Sequence, residues 1–101
     1  MKAAVFDGTK LEVKDVPEPK LLDDYVLIRV KYCGICGTDI AIVRGWYKVA
    51  TPLIIGHELV GEVAKVANPR HSHLVGKNVT CEINVNICGK CYYCVRGLPT
   101  H

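Results

Sequence analysis

Three cysteines within seven residues, Cys88-Gly89-Lys90-Cys91-Tyr92-Tyr93-Cys94, constrain this chain more than any other feature. Two successive two-residue gaps let consecutive thiolates turn inward around one ion. Zinc's tetrahedral sulfur sites use such close spacing, with bonds of about 2.3 Å. Gly89 and Lys90 suit the turn, and the lysine offsets thiolate charge. A closed structural site takes four ligands, and the nearest alternative to a fourth cysteine is His101. Iron–sulfur ligation is the main chemical competitor, because clusters also use closely spaced cysteines. A trio of reduced core thiols is the plain alternative, but glycine and lysine neighbours make a poor core.

The redox setting sharpens this reading. The chain holds six cysteines in 101 residues. Its first residues, Met1-Lys2-Ala3-Ala4-Val5-Phe6-Asp7, reach an aspartate before the apolar stretch of a signal peptide develops. No run of about 18 apolar residues is present to span a bilayer. The expected location is cytoplasmic, where clustered cysteines bind metal or do chemistry more often than they form disulfides. The net charge is +3 with lysines and arginines scattered along the chain, which argues against a nucleic-acid groove. Half the residues are hydrophobic and 23% are charged, as in an ordinary globular core. The length permits one domain over residues 1–101.

Short strands dominate the pattern. Lys2 to Phe6 and Leu11 to Val16 read as strands around an Asp7-Gly8 turn, and Pro17 and Pro19 then break the run. From Tyr25 to Tyr32, apolar Val26, Ile28, Val30 and Tyr32 alternate with a face carrying Arg29 and Lys31, predicting a half-buried strand. Thr38 to Arg44 reads as one or two helical turns ended by Gly45. Leu59 to Val66 and Asn78 to Ile83 alternate again, with a loop at residues 68–73. These elements predict a mainly β domain, barrel-like, with short helices and a cysteine-rich loop.

A second constellation joins Cys33-Gly34-Ile35-Cys36-Gly37-Thr38-Asp39 to Gly56-His57-Glu58. Cys36 lies just before the predicted helix, where free backbone N–H groups favour the thiolate that a metal takes. Gly56 ends the apolar run Leu53-Ile54-Ile55 and is placed to turn His57 into a cleft. Asp39 is placed to hold the second ring nitrogen of His57, the usual support of a ligating histidine. Taken alone these are weak signals. A histidine beside a strand is more often structural, and Cys33 with Cys36 also reads as a dithiol redox pair.

In their order and spacing the pieces resemble the zinc-containing medium-chain alcohol dehydrogenase family, whose N-terminal catalytic domain is a GroES-like β-barrel. The matching segments are Gly34 to Asp39, Pro52 with Gly56-His57-Glu58 and Gly61, Val75-Gly76-Lys77-Asn78-Val79, and the cysteine loop followed by Arg96-Gly97. The resemblance implies that Cys36 and His57 ligate a catalytic zinc, with Glu58 beside it as an occasional or alternative ligand. Cys88, Cys91 and Cys94 would hold a structural zinc. Thr38 would bond the substrate oxygen and start a proton relay, and Trp46 and Tyr47 would line the substrate pocket or serve plain loop packing.

The family reaction is hydride transfer between an alcohol or carbonyl compound and NAD or NADP. The handling of zinc, substrate and nicotinamide implied here is that of a full-length enzyme, commonly a homo-oligomer. Three departures stand out: Ala67 occupies a glycine position, Ala41 replaces a relay histidine, and the fourth structural cysteine is expected immediately after His101. The sequence has no Gly-x-Gly-x-x-Gly and no room for a nucleotide-binding domain, so these residues alone are expected to be inactive. A stand-alone zinc or iron–sulfur module is the alternative. Cys33 and Cys81 read as packing thiols, and His71 and His73 as solvated loop residues.

Overall fold

The computed structural model describes residues 1–83 and 87–98. His101, the expected alternative to a fourth cysteine for the cysteine loop, lies outside the described residues.

Strands β1 (Lys2–Phe6) and β2 (Leu11–Asp15) form an antiparallel hairpin in which Phe6 faces Leu11. The turn between them is built by Asp7, whose Oδ1 accepts the Thr9 and Lys10 N–H groups at 2.8 and 2.9 Å. This is the local side-chain bonding that makes aspartate a turn residue. The short strand β4 (Leu53–Ile54) pairs with the other edge of β1. A second three-stranded sheet orders β3 (Val26–Gly34), β5 (Glu58–Val66) and β6 (Asn78–Thr80), with β5 central and both pairings antiparallel. Between the sheets in sequence lies helix α1 (Gly37–Val43). Two three-stranded ladders, with the short helices and the cysteine loop, make up the expected mainly β architecture among the described residues.

Phe6 from β1, Ile42 from α1 and Val63 from β5 are the buried hydrophobic residues among those described. One buried apolar side chain thus comes from each sheet and one from the helix. Lys31 of β3 ties the second sheet across its outer face, reaching Asn78 Oδ1 at 3.2 Å and Glu62 Oε2 at 3.4 Å. Exposed ion pairs of this kind contribute little each, so burial and the ladders carry the sheet.

Several elements depart from the sequence reading. β3 runs two residues further, and its apolar alternation fails at Val30 and Tyr32, which are exposed. Register shifts at Leu27/Ile28 and Val30/Tyr32 explain this, because each irregularity breaks the two-residue alternation of faces. The predicted strand Asn78 to Ile83 ends at Thr80, so Cys81 is an exposed residue beyond β6 rather than a packing thiol. Cys33 is likewise exposed. The loop at 68–73 is a 3₁₀ helix, Pro69–Leu74. Asn68 caps it by accepting the Arg70 N–H at 3.0 Å, and Ser72 Oγ donates to the Pro69 carbonyl at 2.7 Å. No helix among the described residues is long and apolar enough to cross a membrane.

Gly61 marks the closest approach of β5 to β3. A Cβ there would sit against the Arg29 carbonyl oxygen and 2.6 Å from Ile28 Cγ2. Backbone cannot yield as a flexible side chain would, so Gly61→Ala is expected to destabilise the fold by about 1–3 kcal/mol, the usual cost of overpacking. Gly37, whose added Cβ meets nothing within 4 Å, is the control and should tolerate alanine. Urea midpoints of the two variants check the contrast; equal midpoints would contradict it.

Candidate metal centres

The first centre is built at the start of α1. Cys36 is its N-cap, in extended conformation, and Asp39 occupies the third helical position. From there Asp39 reaches back, and its Oδ2 accepts the Cys36 N–H at 2.9 Å. This is one half of a capping box, satisfying a donor that the helix leaves unpaired. Asp39 is only 4% exposed, a burial that an aspartate tolerates when its oxygens are engaged. Its Oδ1 lies 3.4 Å from His57 Nδ1, longer than a well-formed hydrogen bond. Among the described residues that oxygen has no hydrogen-bond partner, so the attraction to His57 is its engagement there.

His57 is brought there by Gly56, which has φ +107 and whose added Cβ would come 2.8 Å from Cys33 Sγ. Both facts require glycine. The chain then enters β5 at Glu58. Ligand atoms of Cys36, His57 and Glu58 lie within 4.8 Å of one another. Beside them opens a cleft of about 420 Å³ lined by these three, Thr38, Leu59, Val60, Thr80, Cys81 and Ile83. The Thr38 hydroxyl is 3.8 Å from Cys36 Sγ.

The structure thus brings together Cys36, Thr38, Asp39, His57 and Glu58 from segments twenty residues apart. It does not add Trp46 and Tyr47, which are 72% and 58% exposed and stand outside this cleft wall. Arg44 instead lies over the Trp46 ring at 5.0 Å. Thr80, Cys81 and Ile83 are cleft residues that the sequence reading missed. Their signal was the register of β6, since Val60 pairs with Thr80 and carries the residues after it towards His57.

The second centre is the cysteine loop. Cys88, Cys91 and Cys94 have their sulfurs within 4.8 Å of one another. Each sulfur is steered by backbone: the Cys91 N–H donates to Cys88 Sγ at 3.3 Å, and the Cys94 N–H to Cys91 Sγ at 3.5 Å. Cys88 Sγ and Cys94 Sγ are 3.8 Å apart. Four sulfurs at bonds of about 2.3 Å around a tetrahedral ion have edges of about 3.8 Å. The donor set therefore fits zinc without rearrangement of that pair.

The thiol acidities follow the same backbone groups. Donation from the Lys90 N–H and then the Cys91 N–H lowers Cys88 to about 7. Cys91 is also lowered, chiefly by the Cys94 N–H. Cys94 receives a lowering bond from the Gly89 N–H, but its hydrogen bond with Cys91, desolvation and the neighbouring Cys88 outweigh it and raise the thiol.

Comparison with known proteins bears on both centres. Residues 22–101 match the model of the alcohol dehydrogenase GroES-like domain. Over 85 residues the chain is 44% identical to a sorbitol dehydrogenase of Halalkalibacterium halodurans, covering 84% of this chain and 25% of the relative. An Escherichia coli alcohol dehydrogenase solved with NADH superposes with a TM-score of 0.84 at 35% identity, covering 98% of this chain and 29% of that one. A thermostable alcohol dehydrogenase from Pyrobaculum aerophilum, solved with cobalt and zinc bound, gives 0.82 at 31% identity over 98% of this chain and 31% of its own. The chain thus spans roughly a quarter to a third of the proteins it matches.

With its pKa lowered to about 7, Cys88 becomes thiolate as pH rises through that value, and its reactivity rises with it. In the chelator-treated chain at neutral pH, iodoacetamide should label Cys88 ahead of Cys94, as read by peptide mass spectrometry. Preferential labelling of Cys94 would contradict the hydrogen-bond pattern.

Proposed function

The chain belongs to the alcohol dehydrogenase GroES-like domain family, and from that premise we propose that it carries the metal-binding part of a zinc-dependent alcohol or polyol dehydrogenase. The observation that carries this reading is the convergence of Cys36, His57 and Glu58 on one cleft, with the Thr38 hydroxyl beside them. Cys36 and His57 would hold a catalytic zinc, with Glu58 as an occasional ligand, and Cys88, Cys91 and Cys94 a structural one. Three sulfurs converging on one point favour a single ion; a four-iron cluster would spread its cysteines over separate irons.

When bound at Cys36 and His57, zinc supplies Lewis acidity, polarising a carbonyl or making an alcohol more acidic. The chain's own residues do the rest. With Nδ1 turned to Asp39, His57 presents Nε2 to the metal, and the buried carboxylate favours that tautomer and orientation. Asp39 also fixes the Cys36 backbone, so one side chain orients both ligands. Thr38 would accept the substrate hydroxyl's proton and pass it on. Leu59, Val60 and Ile83 would offer the substrate's carbon skeleton an apolar wall.

Hydride transfer needs NAD or NADP, which a nucleotide-binding domain outside these residues would hold. The substrate is a small alcohol or carbonyl compound; the sorbitol dehydrogenase relative makes a polyol the first candidate. We place the working enzyme in the cytoplasm as a homo-oligomer, without a nucleic-acid or membrane partner. Dispersed positive charge speaks against a nucleic-acid groove, and no helix among the described residues is long and apolar enough to cross a membrane.

Zinc titration of this chain against a chromophoric chelator should give one tight equivalent and one weaker equivalent. Cys36→Ser or His57→Gln should abolish the weaker one; its survival in both variants would overturn the assignment. In a polypeptide that joins this domain to its nucleotide-binding partner, sorbitol or a simple alcohol should reduce NAD or NADP. Thr38→Val should then lower kcat by about 10²–10⁴-fold, the range of a lost proton-transfer group, while zinc content is unchanged. Wild-type kcat in that variant would remove Thr38 from the relay.

A further inference from the structure

The residues between Cys91 and Cys94 carry no metal ligand, yet one of them is gripped twice. Arg96 Nη1 donates to the Tyr92 carbonyl at 3.0 Å, and the same guanidinium lies 3.7 Å from the centre of the Tyr92 ring. The Tyr92 ring meets that of Tyr93 edge-on, at 5.3 Å and 82°. Backbone bonds close the turn behind this contact: Val95 N–H to the Cys91 carbonyl and Arg96 N–H to the Tyr93 carbonyl, both at 3.1 Å. Gly97, at φ +70, caps the short 3₁₀ helix Cys94–Arg96 by donating to the Cys94 carbonyl at 3.1 Å.

We propose that Arg96 is a positioning residue for the metal loop, clamping Tyr92 so that Cys91 and Cys94 stay at the separation one tetrahedral ion requires. The inference rests on the reading of this loop as a zinc site. Its physical basis is that a side chain bound to both the carbonyl and the ring of Tyr92 restricts rotation of the whole Cys91–Cys94 span. Such restraint lowers the ordering cost of binding, because the sulfurs are held together before the ion arrives. A guanidinium performs this task through its planar fork, which bonds at its edge while its face stacks on a ring. Counter-charge alone would be a different role, which a lysine at this position would fill equally well.

The distinction can be measured as zinc affinity in a Cys36→Ser/His57→Gln background, where the loop is the remaining centre. Competition with a chromophoric chelator should show Arg96→Ala weakening zinc by about 10–100-fold, the usual cost of losing a group that orients a ligand. Arg96→Lys, which keeps the charge and loses the fork, should weaken it comparably. Tyr92→Phe, which keeps the ring and the carbonyl, should bind like its parent. Cobalt(II) spectra should show a displaced tetrahedral band in the arginine variants, with far-UV circular dichroism unchanged. Parental affinity in Arg96→Lys with loss in Arg96→Ala would reduce the residue to a counter-charge and overturn the clamp. Parental affinity in both arginine variants would overturn it while leaving the zinc reading intact. A parent loop that takes no zinc would overturn that reading and the clamp with it.

Discussion

The Asp39 carboxylate is where the fold and the candidate catalytic centre become one object. One oxygen accepts the Cys36 N–H, which secures the start of α1; the other lies 3.4 Å from His57 Nδ1. A charged group buried to this degree is tolerable only while both sides are engaged. Helix capping and orientation of the histidine are therefore coupled. Displacing His57 would remove the attraction at Asp39 Oδ1, and unwinding the first turn of α1 would release the carboxylate from the Cys36 N–H. Gly56, in the connection between β4 and β5, completes the arrangement, because a side chain there would strike Cys33.

The two candidate metal centres use different devices. At Cys36 and His57 the candidate ligands come from separate segments, and tertiary structure supplies their geometry. At Cys88, Cys91 and Cys94 the spacing is local, and successive backbone N–H groups aim each sulfur. The same donation that aims Cys88 lowers its pKa, so geometry and ionisation are set together. A metal joining that loop would add to stability, since few hydrophobic side chains are buried in so small a chain.

The legible parts of the sequence were those fixed by local chemistry. The hairpin around Asp7-Gly8, the helix stopping at Gly45, and the long alternation of Leu59 to Val66 all follow from turn residues and periodicity. The cysteine loop was legible from spacing alone, whereas pairing Cys36 with His57 needed the order of several motifs. What escaped depended on neighbours. Register shifts in β3 exposed Val30 and Tyr32 although their alternation was regular on paper. Asn68 and Ser72 converted an apparent loop into a 3₁₀ helix through side-chain bonds that no periodicity reveals. Cys81 seemed a strand residue until β6 ended before it, leaving it on the cleft wall.

The central claim is that this domain organises two separate zinc sites with the ligands named. Crystals of the zinc-loaded chain, measured on either side of the zinc absorption edge, test it most directly. The account predicts two anomalous peaks, one among the Sγ atoms of Cys88, Cys91 and Cys94 and a weaker one between Cys36 Sγ and His57 Nε2. Zinc bound at His71 and His73 instead, with neither cysteine constellation occupied, would contradict it.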